Sequence, residues 1–116
     1  MQELDRRGRS LRHFRPIEIY EMFLRICEGV RVFHEHDGPL AHRDLKTANI
    51  ALDNSGSPVI MDFGSATAAR VMITNSNEAQ ALQDLAAERC SMPYRAPELF
   101  NVAVDSIIDE RTDIWV

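Results

Sequence analysis

The chain has 116 residues, 45% hydrophobic and 27% charged, a composition of ordinary globular domains that excludes fibrous and disordered classes. Its 13 basic and 18 acidic residues leave a net charge of −5, so a nucleic-acid or anionic-membrane partner finds no general electrostatic support. No apolar run reaches the roughly 20 residues needed to cross a bilayer.

In chain order, Arg6, Arg7, Arg9, Arg12 and Arg15 crowd the start. Glu3 and Asp5 interrupt them and no apolar stretch follows, so a solvated helix face is expected rather than a transit peptide. Met1-Gln2 is not a myristoylation start. Pro16 suits the first turn of a helix, with Glu18 and Glu21 favourable to its dipole. Ile19, Phe23, Ile26, Val30 and Phe33 then recur at helical spacing, and Tyr20, Leu24 and Cys27 widen the stripe. A helix over about 16–36 with a broad buried face follows, ended by Asp37-Gly38-Pro39. Apolar runs at 50–52 and 59–61 flank a cluster of turn formers and predict a hairpin. Residues 62–73 read as loop with a short strand at 71–73, and Asn77 with Gln80 predicts a capped helix through about Arg89. The remainder reads as irregular, with a helical turn after Pro97 and a helix starting near Thr112 or Asp113. Cys27 and Cys90 lie far apart with no zinc or disulfide spacing, so a reducing, cytoplasmic setting is expected.

Phosphoryl transfer from ATP needs a positioned acceptor hydroxyl, a divalent metal on the phosphates, and positive charge where negative charge spreads. The run His42-Arg43-Asp44-Leu45-Lys46-Thr47-Ala48-Asn49 supplies a carboxylate, an ammonium and an amide oxygen within eight residues. It resembles the protein-kinase catalytic loop, and Lys46 two places after Asp44 is the serine/threonine form. The resemblance implies that Asp44 orients the substrate hydroxyl and accepts its proton. It implies further that Lys46 meets the transferred phosphate and that Asn49 ligates magnesium. Thr47 stands where the family most often has Pro.

Asp62-Phe63-Gly64 resembles the motif that places an Asp on magnesium and a Phe in the packing of the active arrangement. A hairpin between Asn49 and Asp62 would bring both to the same end. Ala96-Pro97-Glu98 resembles the close of the activation segment, and Cys90-Ser91-Met92-Pro93-Tyr94-Arg95 the stretch before it, with Cys90 for Gly and Ser91 for Thr. By resemblance the Ser91 hydroxyl helps hold the catalytic Asp and Lys, and Asp113 before Trp115 hydrogen-bonds the catalytic-loop backbone. Arg43 is the arginine that in such kinases pairs with an activation-segment phosphate, with Thr67, Thr74, Ser76 and Ser91 as available hydroxyls. His42 is read as packing against Phe63, and His13, His34 and His36 as structural or exposed. Four motifs in the correct order make coincidence a poor account.

The stretches 81–90, 94–100 and 108–113 are similar to the Numb-associated kinase group, nearest its myristoylated and palmitoylated member. Relatives of that kind associate with Golgi and vesicle membranes through N-terminal acyl groups. The resemblance implies an α+β, protein-kinase-like fold in part, mainly the helical large lobe. Its expected divisions are helices before the catalytic loop (1–41), loop and hairpin (42–61), activation segment (62–98) and the start of the central helix (99–116). Five glycines without a GxGxxG grouping, and Lys46 as the only lysine, leave no small-lobe phosphate loop or second lysine. The expectation is therefore a fragment of a serine/threonine kinase that uses ATP and Mg2+ on protein substrates, inactive in isolation and marginally stable. Apolar surface of the 16–36 helix would be partly exposed, and a buried Glu98 would lack its arginine partner. A non-catalytic, kinase-derived interaction module is the alternative; intact Asp44, Lys46, Asn49 and Asp62 favour the enzyme.

Overall fold

The structure, a computed structural model, describes residues 13–116. The arginines at 6, 7, 9 and 12 lie outside them, and Arg15 precedes the first helix in extended conformation rather than on a helix face.

Helix α1 spans Pro16–His34, opened by Pro16 and by the Glu18 carboxylate accepting the Arg15 N–H at 2.8 Å. It ends two residues earlier than its apolar pattern suggests. The His36 N–H turns back to the Phe33 carbonyl, tightening the last turn, and Gly38 then takes φ +78°. The expected broad buried face is not observed: no residue of α1 is buried. Ile26, Gly29, Val30 and Phe33 are half-buried, whereas Ile19 and Phe23 are 56% and 61% exposed. Gly29 lets the helix sit close to the following ribbon, because a Cβ there would meet the Ile60 side chain at 3.0 Å.

Three two-stranded antiparallel ribbons follow. Strand β1 (Leu40–Ala41) pairs with β4 (Thr67–Ala68), and β2 (Ile50–Leu52) with β3 (Pro58–Ile60). Strand β5 (Val71–Ile73) pairs with β6 (Ser106–Ile108). The β2–β3 hairpin starts its second strand one residue before the expected position, with Ile50 opposite Ile60. Its turn is set by Asp53, whose Oδ1 accepts the N–H groups of Ser55 and Ser57.

Helix α2 spans Ser76–Arg89, and its cap is Asn75 rather than Asn77. Asn75 Oδ1 accepts the Glu78 N–H at 2.9 Å, and Glu78 accepts the Thr74 N–H at 2.8 Å. An ionised Glu makes this pair stronger than the Asn77–Gln80 pair. Gln80 instead donates to Asp84. Helix α3 (Pro97–Phe100) is the turn expected after Pro97.

The core lies here, where Ile73, Ala79, Ala86, Cys90, Ala96, Leu99, Val102 and Ile108 cluster, with Val71 and Leu82 against them. In place of a helix starting at Thr112 or Asp113, a 3-10 turn spans Glu110–Asp113. It is capped by Asp109 accepting the Arg111 N–H at 2.9 Å. That cap starts the turn early, and Trp115, beyond it, is 60% exposed.

Candidate functional site

The loop after β1 carries the catalytic-loop motif. His42, Arg43, Leu45 and Asn49 are buried, so the loop is part of the interior despite its irregular backbone. Buried backbone of this kind must find partners. Asp113 supplies them: its Oδ2 accepts the His42 N–H at 2.8 Å and its Oδ1 the Arg43 N–H at 2.9 Å. Directly after the second of these amides Arg43 holds φ +68°, a left-handed conformation that costs a residue with a side chain about 1–3 kcal/mol. The carboxylate clamp offsets that strain.

Asp44 comes next. Its Oδ1 accepts the Ser91 hydroxyl at 2.8 Å and the Ser91 N–H at 3.2 Å, and its Oδ2 accepts Asn49 Nδ2 at 3.2 Å. Lys46 Nζ donates to Ser91 Oγ at 2.6 Å and lies 3.8 Å from Asp44 Oδ2. One serine hydroxyl thus bridges the ammonium and the carboxylate. Burial pushes the Asp44 carboxyl upward, but the Ser91 hydrogen bonds, the Lys46 charge and the Asn49 amide together hold it below the usual carboxylate value.

Asn49 closes a 3-10 turn, Thr47–Asn49, and its Nδ2 also donates to the Asp44 carbonyl at 2.7 Å. Both uses of the amide fall on nitrogen, leaving its oxygen as the group able to take a cation. Across the hairpin, the Met61 N–H donates to the Asn49 carbonyl at 2.8 Å, so the ladder brings Asn49 and the start of the Asp62 motif to one end. Asp62 is exposed with φ +59°, and its Oδ1 accepts the Gly64 N–H at 3.2 Å. Phe63 stacks on Phe33 with centroids 5.4 Å apart and meets the edge of His42 at 5.8 Å. His42 Nε2 lies 3.0 Å from the Met61 carbonyl and its Nδ1 faces the Asp44 N–H at 3.2 Å. A carbonyl can only accept and an N–H only donate, so His42 carries its proton on Nε2 and bridges both halves of the site.

Other motif residues stand differently. Glu98 is exposed, so the expected buried carboxylate lacking a partner is not found; α3 is a single turn that faces Leu99, not Glu98, into the core. Arg43 is buried and donates to the Ala69 carbonyl at 3.2 Å, while its Nε has no partner among the described residues. Cys90 has φ −97° and ψ 125°, extended backbone open to any residue, so nothing there requires glycine. Its thiol is pushed up by burial.

Two residues of the site were missed in the sequence. His34 Nε2 lies 2.9 Å from Asp113 Oδ2, and Phe33 carries the aromatic stack, both from the last turn of α1. No local signal marks the His34 pairing, since the partners are 79 positions apart. Among the described residues no three His, Cys, Asp or Glu side chains gather as a metal cluster, and no helix is long and apolar enough to cross a membrane.

The family of the protein kinase domain matches residues 1–116. The chain belongs to the protein kinase family. Among curated proteins it is similar to serine/threonine-protein kinase 16 of Rattus norvegicus, 49% identical over 84% of this chain and 32% of the relative. The Homo sapiens protein of the same name is 48% identical over the same shares. Serine/threonine-protein kinase ppk13 of Schizosaccharomyces pombe is 48% identical over 64% of this chain and 22% of the relative. The chain therefore spans about a third or less of the length of these relatives. Helices set beside small antiparallel ribbons make it α+β and part of a kinase fold, and its likeness to kinase 16 agrees with the resemblance drawn from residues 81–113.

Proposed function

We propose that the chain carries the catalytic-loop half of a serine/threonine protein kinase, which transfers the terminal phosphoryl group of ATP to hydroxyls of protein substrates. The observation that supports this most is the Asp44–Ser91–Lys46 constellation, with Asn49 and the Asp62 motif at the same end of the β2–β3 hairpin. Asp44 accepts a hydrogen bond from the acceptor hydroxyl and takes its proton as the oxygen bonds to phosphorus and the bond to ADP breaks. A carboxyl held below its usual value is a weak base. It suits a loose transition state in which orientation matters more than early deprotonation. Lys46, anchored on Ser91 and partly exposed, places its positive charge beside the transferred group. Asn49 and Asp62 would hold magnesium, which when bound neutralises phosphate charge. One carboxylate and one amide oxygen fit a cation whose other ligands are phosphate and water.

The exposed apolar residues of α1 favour a second reading, a non-catalytic interaction module. Incubating the full-length protein with labelled ATP, magnesium and a mixed protein substrate separates the two. Phosphoserine and phosphothreonine are expected; label on tyrosine alone, or none at all, would count against the kinase reading.

A further inference from the structure

A cavity of about 430 Å³ lies between helix α2 and strand β5, and none of Asp44, Lys46, Asn49 or Asp62 lines it. Its volume falls within the roughly 300–1,000 Å³ of small-molecule sites. Helix α2 contributes one wall as a stripe at helical spacing, with Leu82, Leu85 and Ala86 between Glu78 and Arg89. Val71 and Ile73 of β5 stand on the opposite side. From Glu78 to Arg89 the stripe runs about 16 Å at the helical rise.

The walls are aliphatic and the two ends are charged. At one end Glu78 is already satisfied, its Oε2 accepting the Thr74 N–H and hydroxyl. At the other stand Arg89 and Cys90. Arg43 belongs to that second end: burial lowers its guanidinium from the ordinary value, and the Cys90 thiol is the first group acting against that. Arg43 is 8% exposed, and its Nη2 donates to the Ala69 carbonyl. Its Nε has no partner, and among the described residues the guanidinium forms no ion pair. The Asp113 oxygens are taken by the His42 and Arg43 amides and by His34. A guanidinium cannot shed its proton to escape burial, so this charge is compensated only when an anion arrives.

We propose that the cavity binds a small amphipathic carboxylate, its head on Arg43 and its apolar tail along α2 against β5. A carboxylate brings one charge for one buried guanidinium and accepts the free Nε–H. A doubly charged phosphate would leave surplus charge beside aliphatic walls, since Arg89 is exposed and its charge is screened by water. A neutral apolar molecule would leave the guanidinium uncompensated. The proposal stands apart from the phosphotransfer reading and survives its failure.

The test is calorimetric titration of the full-length protein with decanoate, with 1-decanol as tail without charge and inorganic phosphate as charge without tail. Two variants locate the site. Arg43→Gln removes the charge and keeps an N–H. Ala81→Trp places a large side chain in the cavity from an exposed position of α2, so the core is left alone and circular dichroism should not change.

Decanoate is expected to bind at one saturable site, with 1-decanol at least about tenfold weaker and phosphate unable to displace it. Arg43→Gln should weaken decanoate about tenfold to hundredfold, the range for losing a hydrogen bond to a charged group. Ala81→Trp should abolish binding. Absence of saturable binding, equal affinity for 1-decanol, or affinity retained in either folded variant would overturn the proposal. Displacement by phosphate at comparable concentration would overturn it too, making Arg43 the seat of a phosphate such as one carried on Thr67, which also lines the cavity. Should Arg43→Gln not fold, Ala81→Trp decides alone.

Discussion

Helix α1 and the segment from β5 to Asp113 divide the molecule into two kinds of structure. The helix is the longest element, yet it buries no side chain and leaves Ile19, Tyr20 and Phe23 more than half exposed. The later segment is made of short pieces, but it contains the apolar cluster around Leu99 and Ile73 and the carboxylate that holds the catalytic loop. Length of regular structure is therefore a poor guide to where this chain is held together. What counts is where apolar surface is covered and where buried polar groups are satisfied.

The sharpest test of that contrast is a matched pair of truncations. Leu99→Ala, at a residue 2% exposed, should cost about 2–5 kcal/mol in urea unfolding. Phe23→Ser, at one 61% exposed, should stay within about 0.5 kcal/mol. Equal losses would place the core across both regions.

A smaller effect is expected at the polar anchor. Asp113→Ala leaves the buried His42 and Arg43 amides unpaired and should cost about 2–3 kcal/mol. Exchange protection at these two amides should disappear first; protection that survives would mean another acceptor holds the loop.

The smallest effect lies on the surface. Two hydrogen bonds from Arg70 hold the Glu110 carboxyl down from 4.5 to about 2. A carboxyl whose value is lowered on folding adds stability above pH 4.5 and loses it as pH falls toward 2. Glu110→Gln should flatten the acid limb of a stability–pH curve across that window by lowering stability at neutral pH, with little change once the carboxyl of the unsubstituted protein is protonated. An unaltered acid limb would show that the pair contributes nothing in solution.

Much of the site could be read in advance because its residues are local in sequence. Asp44, Lys46 and Asn49 lie within six positions, and a turn-former cluster between two apolar runs was enough to forecast the ribbon joining Asn49 to Asp62. The Asp113 contact with the loop backbone came from family resemblance rather than from pattern. What escaped reading was non-local or too short. Strands β1, β4 and β6 have two or three residues each and exist only through partners distant in the chain. The His34–Asp113 pair is likewise a product of folding. Periodicity reports the apolar face of α1 and not what covers it, so the broad buried face is not observed, whereas the partial exposure expected of the same surface is. The α2 cap was misplaced because two Asn-led boxes overlap, and the one containing Glu78 prevails.

The central claim is that Asp44, held by Ser91 and Asn49, is the group that receives the substrate hydroxyl's proton. Asp44→Asn keeps the shape of the side chain and its place in the loop while removing the charge. In the full-length protein, phosphotransfer from ATP is expected to fall about a hundredfold or more, in line with the loss of a general base. The far-ultraviolet circular dichroism spectrum should not change. Activity within a few fold of the unsubstituted protein, with the fold intact, would contradict the account.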